Sequence, residues 1–96
     1  MSVEYSKRAL DDLEAISSYY AESAEPGTAG RFERRFQDVV SRLDRQPETA
    51  QPLTGRPGVR VALLNTFPYK IFYRIIDSDR IRILHVRHSS RRPWRA

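Results

Sequence analysis

His85 and His88 are the only histidines in the chain, and it contains no cysteine. Side chains that exchange a proton near neutrality are therefore confined to one short stretch. Three positions apart on what reads as a strand, the two rings point to opposite faces and cannot clamp one metal ion. The missing cysteines remove thiolate ligands, a thiol nucleophile and disulfides together. Neither common glycine-rich phosphate loop occurs, which leaves nucleotide-dependent chemistry without an anchor. Ser89 and Ser90 flank His88, but neighbours along an extended chain rarely reach the geometry of nucleophile and base. What remains is phosphodiester chemistry without metal, with His88 transferring a proton while Lys70 and Arg74 stabilise charge developing on phosphorus. A second acid–base group is missing from that set. Asp77 and Asp79 belong to the far end of the same hairpin, roughly 25–30 Å from His88 at strand rise, so His88 reads more readily as a structural or binding residue. No cofactor is implied.

Such groups need a scaffold, and 96 residues leave room for one domain. With 40% hydrophobic and 30% charged residues the chain is expected to fold on its own core. No apolar run approaches the length of a membrane span, and the opening MSVEYSKRAL lacks a signal-type stretch, so a cytoplasmic address is expected and a membrane one is not. The net charge of +5 hides two halves of opposite sign: residues 1–50 carry −3 and residues 51–96 carry +8. Fifteen of the 17 basic residues are arginine, the side chain whose planar fork suits phosphate and carboxylate. Codon bias accounts for arginine over lysine equally well, but not for acids that stay behind in the first half.

Val3 to Tyr5 is a short extended candidate. Ser6 then offers an N-cap for a helix whose stripe is Leu10, Leu13, Ile16 and Tyr20. Glu25, Pro26 and Gly27 break that helix, and Phe32, Phe36, Val39, Val40 and Leu43 define a second one ending before Pro47. Gln46 to Gly58, with three prolines and two glycines, reads as a loop. Beyond it the period becomes two: strands over Val59–Leu64, Tyr69–Ile76 and Arg80–His88, with turns at Asn65–Pro68 and Asp77–Asp79. The order βααβββ predicts an α+β two-layer domain, its helix hairpin packed on one face of a mainly antiparallel sheet.

Register decides which side chains of the last hairpin share a face. A three-residue turn opposes Ile76 to Arg80 and gathers Tyr69, Ile71, Tyr73, Ile75, Ile81, Ile83, His85 and Arg87 on the side of the helices. Lys70, Phe72, Arg74, Ile76, Arg80, Arg82, Leu84, Val86 and His88 then lie on the other. That register separates charge from bulk and predicts a cationic platform around an aromatic ring, fit for a phosphate backbone, a stacked base or an acidic protein segment. A solvated face whose arginine stems cover Phe72 and Leu84 is the ordinary alternative. Arg91, Arg92 and Arg95 in the tail weigh toward function, and Trp94 among them is either a sheet contact or an exposed anchor.

The order of elements and the string YKIFYRIIDSDRIRILHVRHSSRRP, with the opening VEYSKRALDDLEAI and the Gly30–Leu43 helix followed by Pro47, resemble the RelE/ParE superfamily of toxins from toxin–antitoxin modules. The likeness covers nearly the whole chain. It implies a cytoplasmic growth inhibitor of a plasmid-stabilisation type, silenced by a cognate antitoxin in a hetero-oligomer. The receiving surfaces would be the helix hairpin near Tyr19 and Tyr20 and an edge of the sheet, although both tyrosines could equally be core. An acidic antitoxin would suit the basic C-terminal half.

Two branches of the superfamily have different targets. RelE-like and YoeB-like members cut mRNA in the ribosome without metal, and ParE-like members inhibit DNA gyrase. On the nuclease pattern Lys70 falls where YoeB-like proteins carry an arginine, and His88 falls on their histidine. Gln51 sits near the position of their acidic base, and Trp94 stands where RelE-like members place a tyrosine, so both nuclease signatures are incomplete. Opening and ending are closer to ParE-like sequences. The resemblance therefore implies a gyrase inhibitor acting by binding, with Arg82, Arg87, Arg91, Arg92 and Trp94 meeting the target; a metal-free endoribonuclease using His88, Lys70 and Arg74 is the alternative.

Overall fold

The structure is a computed structural model and describes residues 2–90. Its elements are β1 (Ser2–Tyr5), α1 (Lys7–Ser23), α2 (Thr28–Arg45), β2 (Gln51–Pro52), β3 (Val59–Leu63), β4 (Tyr69–Asp77) and β5 (Arg80–His88). The five strands form one sheet in the order β1-β5-β4-β3-β2. β1 runs parallel to β5 and every other pairing is antiparallel. The two helices pack on this mixed sheet, giving the α+β layers expected from helices grouped apart from strands.

Ser6 starts α1 in three ways at once. Its hydroxyl accepts from the Ala9 N–H at 3.0 Å and donates to the Leu84 carbonyl at 2.9 Å, and its own N–H donates to the Ile83 carbonyl. The cap thereby ties the start of the helix to β5. The inward stripe of α1 is Ala9, Leu13, Ile16 and Tyr20. Leu10, expected to face inward, is 53% exposed, because the stripe begins one residue earlier at the small Ala9. α2 follows Gly27, whose φ of +89° suits a residue without Cβ, and all five of its expected apolar positions are buried.

The segment after α2 corrects the expectation of an unbroken loop. Gln51 and Pro52 pair with Val61 and Arg60 as a two-residue edge strand. Arg60 holds the approach to it by donating to the carbonyls of Glu48 and Ala50, and the Tyr73 hydroxyl donates to that of Pro47.

The β4–β5 ribbon keeps the expected register only in its middle, where Tyr73, Arg74 and Ile75 oppose Ile83, Arg82 and Ile81. At the tip Asp77, not Ile76, opposes Arg80. The Asp77 carboxylate accepts from the Asp79 N–H at 2.9 Å, which closes a tighter turn and leaves Ile76 as the extra residue. A second irregularity falls between Tyr73↔Ile83 and Phe72↔His85, with Leu84 the unopposed residue. From there Ile71 faces Val86, Lys70 faces Arg87 and Tyr69 faces His88. Each residue of β5 past Leu84 has therefore changed sides relative to the alternating pattern. Val86 enters the core at 3% exposure, Arg87 moves to the side of Lys70, and His88 moves to the side of Tyr69.

Candidate functional site

β1 accompanies β5 only as far as the pair Tyr5↔Ile83. Past that point α1 crosses the edge of β5, and Asp12 takes over the hydrogen bonding. One carboxylate oxygen of Asp12 accepts from the Val86 N–H at 2.9 Å and also from Nδ1 of His85, while the other lies 3.5 Å from Nε of Arg8. Nη1 of Arg87 stands 3.3 Å from Nε2 of His85. An acceptor at Nδ1 and a donor at Nε2 assign the neutral Nδ1–H tautomer. Electrostatics agree: burial holds the His85 imidazole below its ordinary value, Arg8 and Arg87 push in the same direction, and the Asp12 carboxylate opposes them. The contact is accordingly a hydrogen bond from a neutral ring to a carboxylate and not an ion pair.

Beside this clip a groove of about 470 Å³ opens between α1 and the ends of β4 and β5. Ile16, Tyr20, Tyr69 and Val86 supply apolar walls, and Arg8, Arg87 and His88 supply polar ones. Tyr19 also lines the groove and is 58% exposed. Tyr20 instead packs against Phe32, Phe67 and Tyr69 at ring separations of 5.6–6.3 Å, and burial, with Tyr69 adding, pushes its hydroxyl up to about 12. Both tyrosines thus line the groove, Tyr19 at its surface and Tyr20 packed against the core as well.

His88 turns one ring edge to Tyr69 at a centroid distance of 5.3 Å. Its Nδ1 faces both the hydroxyl and the N–H of Ser90, at 2.7 and 3.2 Å. This corrects the expectation that the adjacent serines stay out of reach. The arrangement still lacks the parts of a hydrolytic triad, because Nδ1 accepts from both groups in a local turn and no carboxylate orients the ring among the described residues.

The outer face of the sheet corrects the expected platform. Lys70 opposes Arg87 and Arg74 opposes Arg82, so four cations do share that face, with Phe72 between them. Phe72 is 3% exposed and its ring centroid lies 6.2 Å from that of His85. His88 is on the opposite side, so the proton donor and the two phosphate-stabilising cations are not gathered on one surface. The shift at Leu84 is the physical reason. At the β1 end the positive charge is also compensated: Glu4 pairs with Arg82 at 3.0 Å and with Arg80 at 2.9 Å, and Arg80 pairs with Asp77 at 2.9 Å. The hydrogen bond from Arg82 holds the Glu4 carboxyl below its usual range; burial opposes it, and Arg80 adds to the lowering. Arg91, Arg92 and Trp94 lie outside the described residues. Gln51 is on the edge strand β2, opposite Val61.

Asp12 and Arg8 were not legible as site residues. Four apart on a helix, they read as an ordinary surface pair, and nothing in their spacing signals the edge of a strand more than seventy positions away. Among the described residues no group of three or more potential metal ligands occurs, and no helix is long and apolar enough to cross a membrane.

Residues 3–93 match the family model described as the ParE toxin of the type II toxin–antitoxin system parDE. Among solved structures the chain is similar to one from the chromosomal ParDE TA system of P. aeruginosa, at 26% identity and a TM-score of 0.76, covering 92% of this chain and 95% of that one. A YoeB/ParE toxin from Agrobacterium tumefaciens is similar at 20% identity and a TM-score of 0.69, covering 92% and 98%. A chain of the intact E. coli RelBE toxin–antitoxin complex is similar at 16% identity and a TM-score of 0.63, covering 93% and 96%. The last two share the fold. No curated protein sequence matches the chain.

Proposed function

The chain belongs to the ParE toxin family of type II toxin–antitoxin systems, and from that premise we propose that it acts in the cytoplasm as one domain that inhibits DNA gyrase by binding and is silenced by a cognate antitoxin. The observation that carries this reading is the separation of His88 from Lys70 and Arg74 across the two sides of the ribbon. Cleaving a phosphodiester without metal needs a proton donor and charge stabilisers around the same phosphorus, and these three side chains do not converge. Arg87, next to the groove, together with Arg82 and the Arg91, Arg92 and Trp94 of the tail, is the surface we assign to the target.

The antitoxin is read from the groove. Its apolar walls, the exposed Tyr19 and the flanking Arg8 and Arg87 fit an amphipathic acidic segment. The similar chromosomal ParDE TA system of P. aeruginosa supports a toxin–antitoxin hetero-oligomer of this sort.

A second reading draws on the four cations of the outer face, which would suit RNA, and makes the protein a ribosome-dependent mRNA endoribonuclease. Purified toxin freed of antitoxin separates the two. Impaired gyrase supercoiling, with toxicity that survives His88→Ala and Lys70→Ala, is the expected result. Unchanged supercoiling with codon-specific mRNA cleavage that those two substitutions abolish would reverse the assignment.

A further inference from the structure

We propose that Asp12 is a positioning residue that acts through His85 to hold the Arg87 guanidinium at the groove. The proposal rests on the reading above only in taking Arg87 to be a residue that meets the target. The argument begins with the edge of β5. A single contact, the Val86 N–H on Asp12, would satisfy the strand where β1 ends. The same carboxylate oxygen also accepts from His85, a ring that is 4% exposed. Burying an imidazole is costly unless its polar atoms are matched, and the two nitrogens are matched to different ends. Committing Nδ1–H to Asp12 leaves only the Nε2 lone pair, and that lone pair faces Nη1 of Arg87.

The direction of the chain is therefore set from the helix outward. Asp12 fixes the tautomer, the tautomer presents an acceptor, and the acceptor restrains the long side chain of Arg87. An arginine restrained before binding loses less side-chain freedom on meeting a partner. Among the described residues, His85 faces Asp12 and Arg8 from α1, Arg87 from β5 and Phe72 from β4. If the tautomer were reversed, a ring N–H would confront the guanidinium.

The full-length protein tests this with a substitution that cuts the chain at one bond. In His85→Asn the amide nitrogen takes the place of Nδ1 and still donates to Asp12, but no atom remains at the position of Nε2. Its melting temperature should stay close to that of the parent. Growth arrest on induction should need about tenfold more toxin, as for Arg87→Ala, and the double variant should lose no more than either single one. Asp12→Asn keeps an acceptor and should retain activity, whereas Asp12→Ala should match His85→Asn; if Asp12→Ala does not fold, His85→Asn carries the test. Nitrogen NMR of the parent at neutral pH should show His85 as the Nδ1–H tautomer. Full toxicity of His85→Asn, losses that multiply in the double variant, or an Nε2–H ring would each overturn the proposal. Growth arrest with this coupling but without gyrase inhibition would sink the target assignment and leave the positioning role standing.

Discussion

The two halves of the β4–β5 ribbon are built from similar residues and do different work. In the half toward the tip, Tyr73 to Ile75 face Ile81 to Ile83 and β1 covers the outer edge of β5. Two of its three arginines are compensated, since Arg80 and Arg82 meet Glu4 and Asp77, while Arg74 opposes Arg82 across the ribbon. In the root half, Tyr69 to Phe72 face His85 to His88, and a helix side chain replaces β1 at the edge. Here Lys70 and Arg87 oppose one another directly, an arrangement that costs stability on a sheet surface. The change of register, the end of β1 and the start of the groove all fall at Leu84. A β-bulge re-aims side chains by one step, and this one places Arg87 opposite Lys70, where an ordinary strand would have carried Val86, and His88 opposite Tyr69, where it would have carried Arg87.

If the tip half is chiefly structural, its core positions should dominate stability. Ile83 is fully buried, and Ile83→Ala should cost about 2–5 kcal/mol in urea unfolding with an unchanged m-value. A loss under about 1 kcal/mol would mean that this half can collapse around the cavity, and the division of labour would weaken.

Ser6 sits on the boundary and sharpens the comparison at a smaller scale. Ser6→Ala removes both the cap on Ala9 and the bond to Leu84, and it should destabilise by about 1–2 kcal/mol. The effect should also be local. Amide exchange at Val86, held by α1, should accelerate more than exchange at Ile81, within the β1-covered half. Equal acceleration along the strand would show one cooperative ribbon instead of two halves.

The same boundary marks where the fold stops being legible in the amino-acid sequence. Phe32, Phe36, Val39, Val40 and Leu43 announce α2 because five large apolar residues at helical spacing admit only one face. Tyr73, Ile75, Ile81 and Ile83 likewise set the middle of the ribbon. Past Leu84 the run His85-Val86-Arg87-His88 holds a single apolar residue among three polar ones, too little for alternation to fix a register. What selects the observed one is tertiary, namely Ser6 on the Leu84 carbonyl and Asp12 on the Val86 N–H. Leu10 was misplaced because Ala9, small enough to fit against the sheet, carries a weaker apolar signal than its neighbour. Gln51 and Pro52 pair through just two residues, too few to show a period. The residue types of the site were thus visible, and the surfaces on which they meet were not.

Acid offers the smallest and most selective way to separate the halves, because each holds its own group below its ordinary value. For His85 that ordinary value is 6.5. Between it and the depressed native value the unfolded chain binds a proton that the native ring refuses, so stability is complete above 6.5 and declines as pH falls through the native value. Glu4 and Asp77 follow the same sign at lower pH. Their native values lie beneath 4.5 and 3.8 respectively, and their contribution is lost as pH drops through those native values. Asp77 is exposed and Glu4 is half-buried at the surface, so this second loss is the shallower one. Melting temperatures followed from about pH 8 to about pH 3 should therefore fall in two stages. His85→Asn should remove the upper stage and leave the lower, while Glu4→Gln should flatten the lower and leave the upper. A single decline that both substitutions alter alike would mean that root and tip titrate as one unit, and that the break at Leu84 divides the geometry of the ribbon without dividing its energetics.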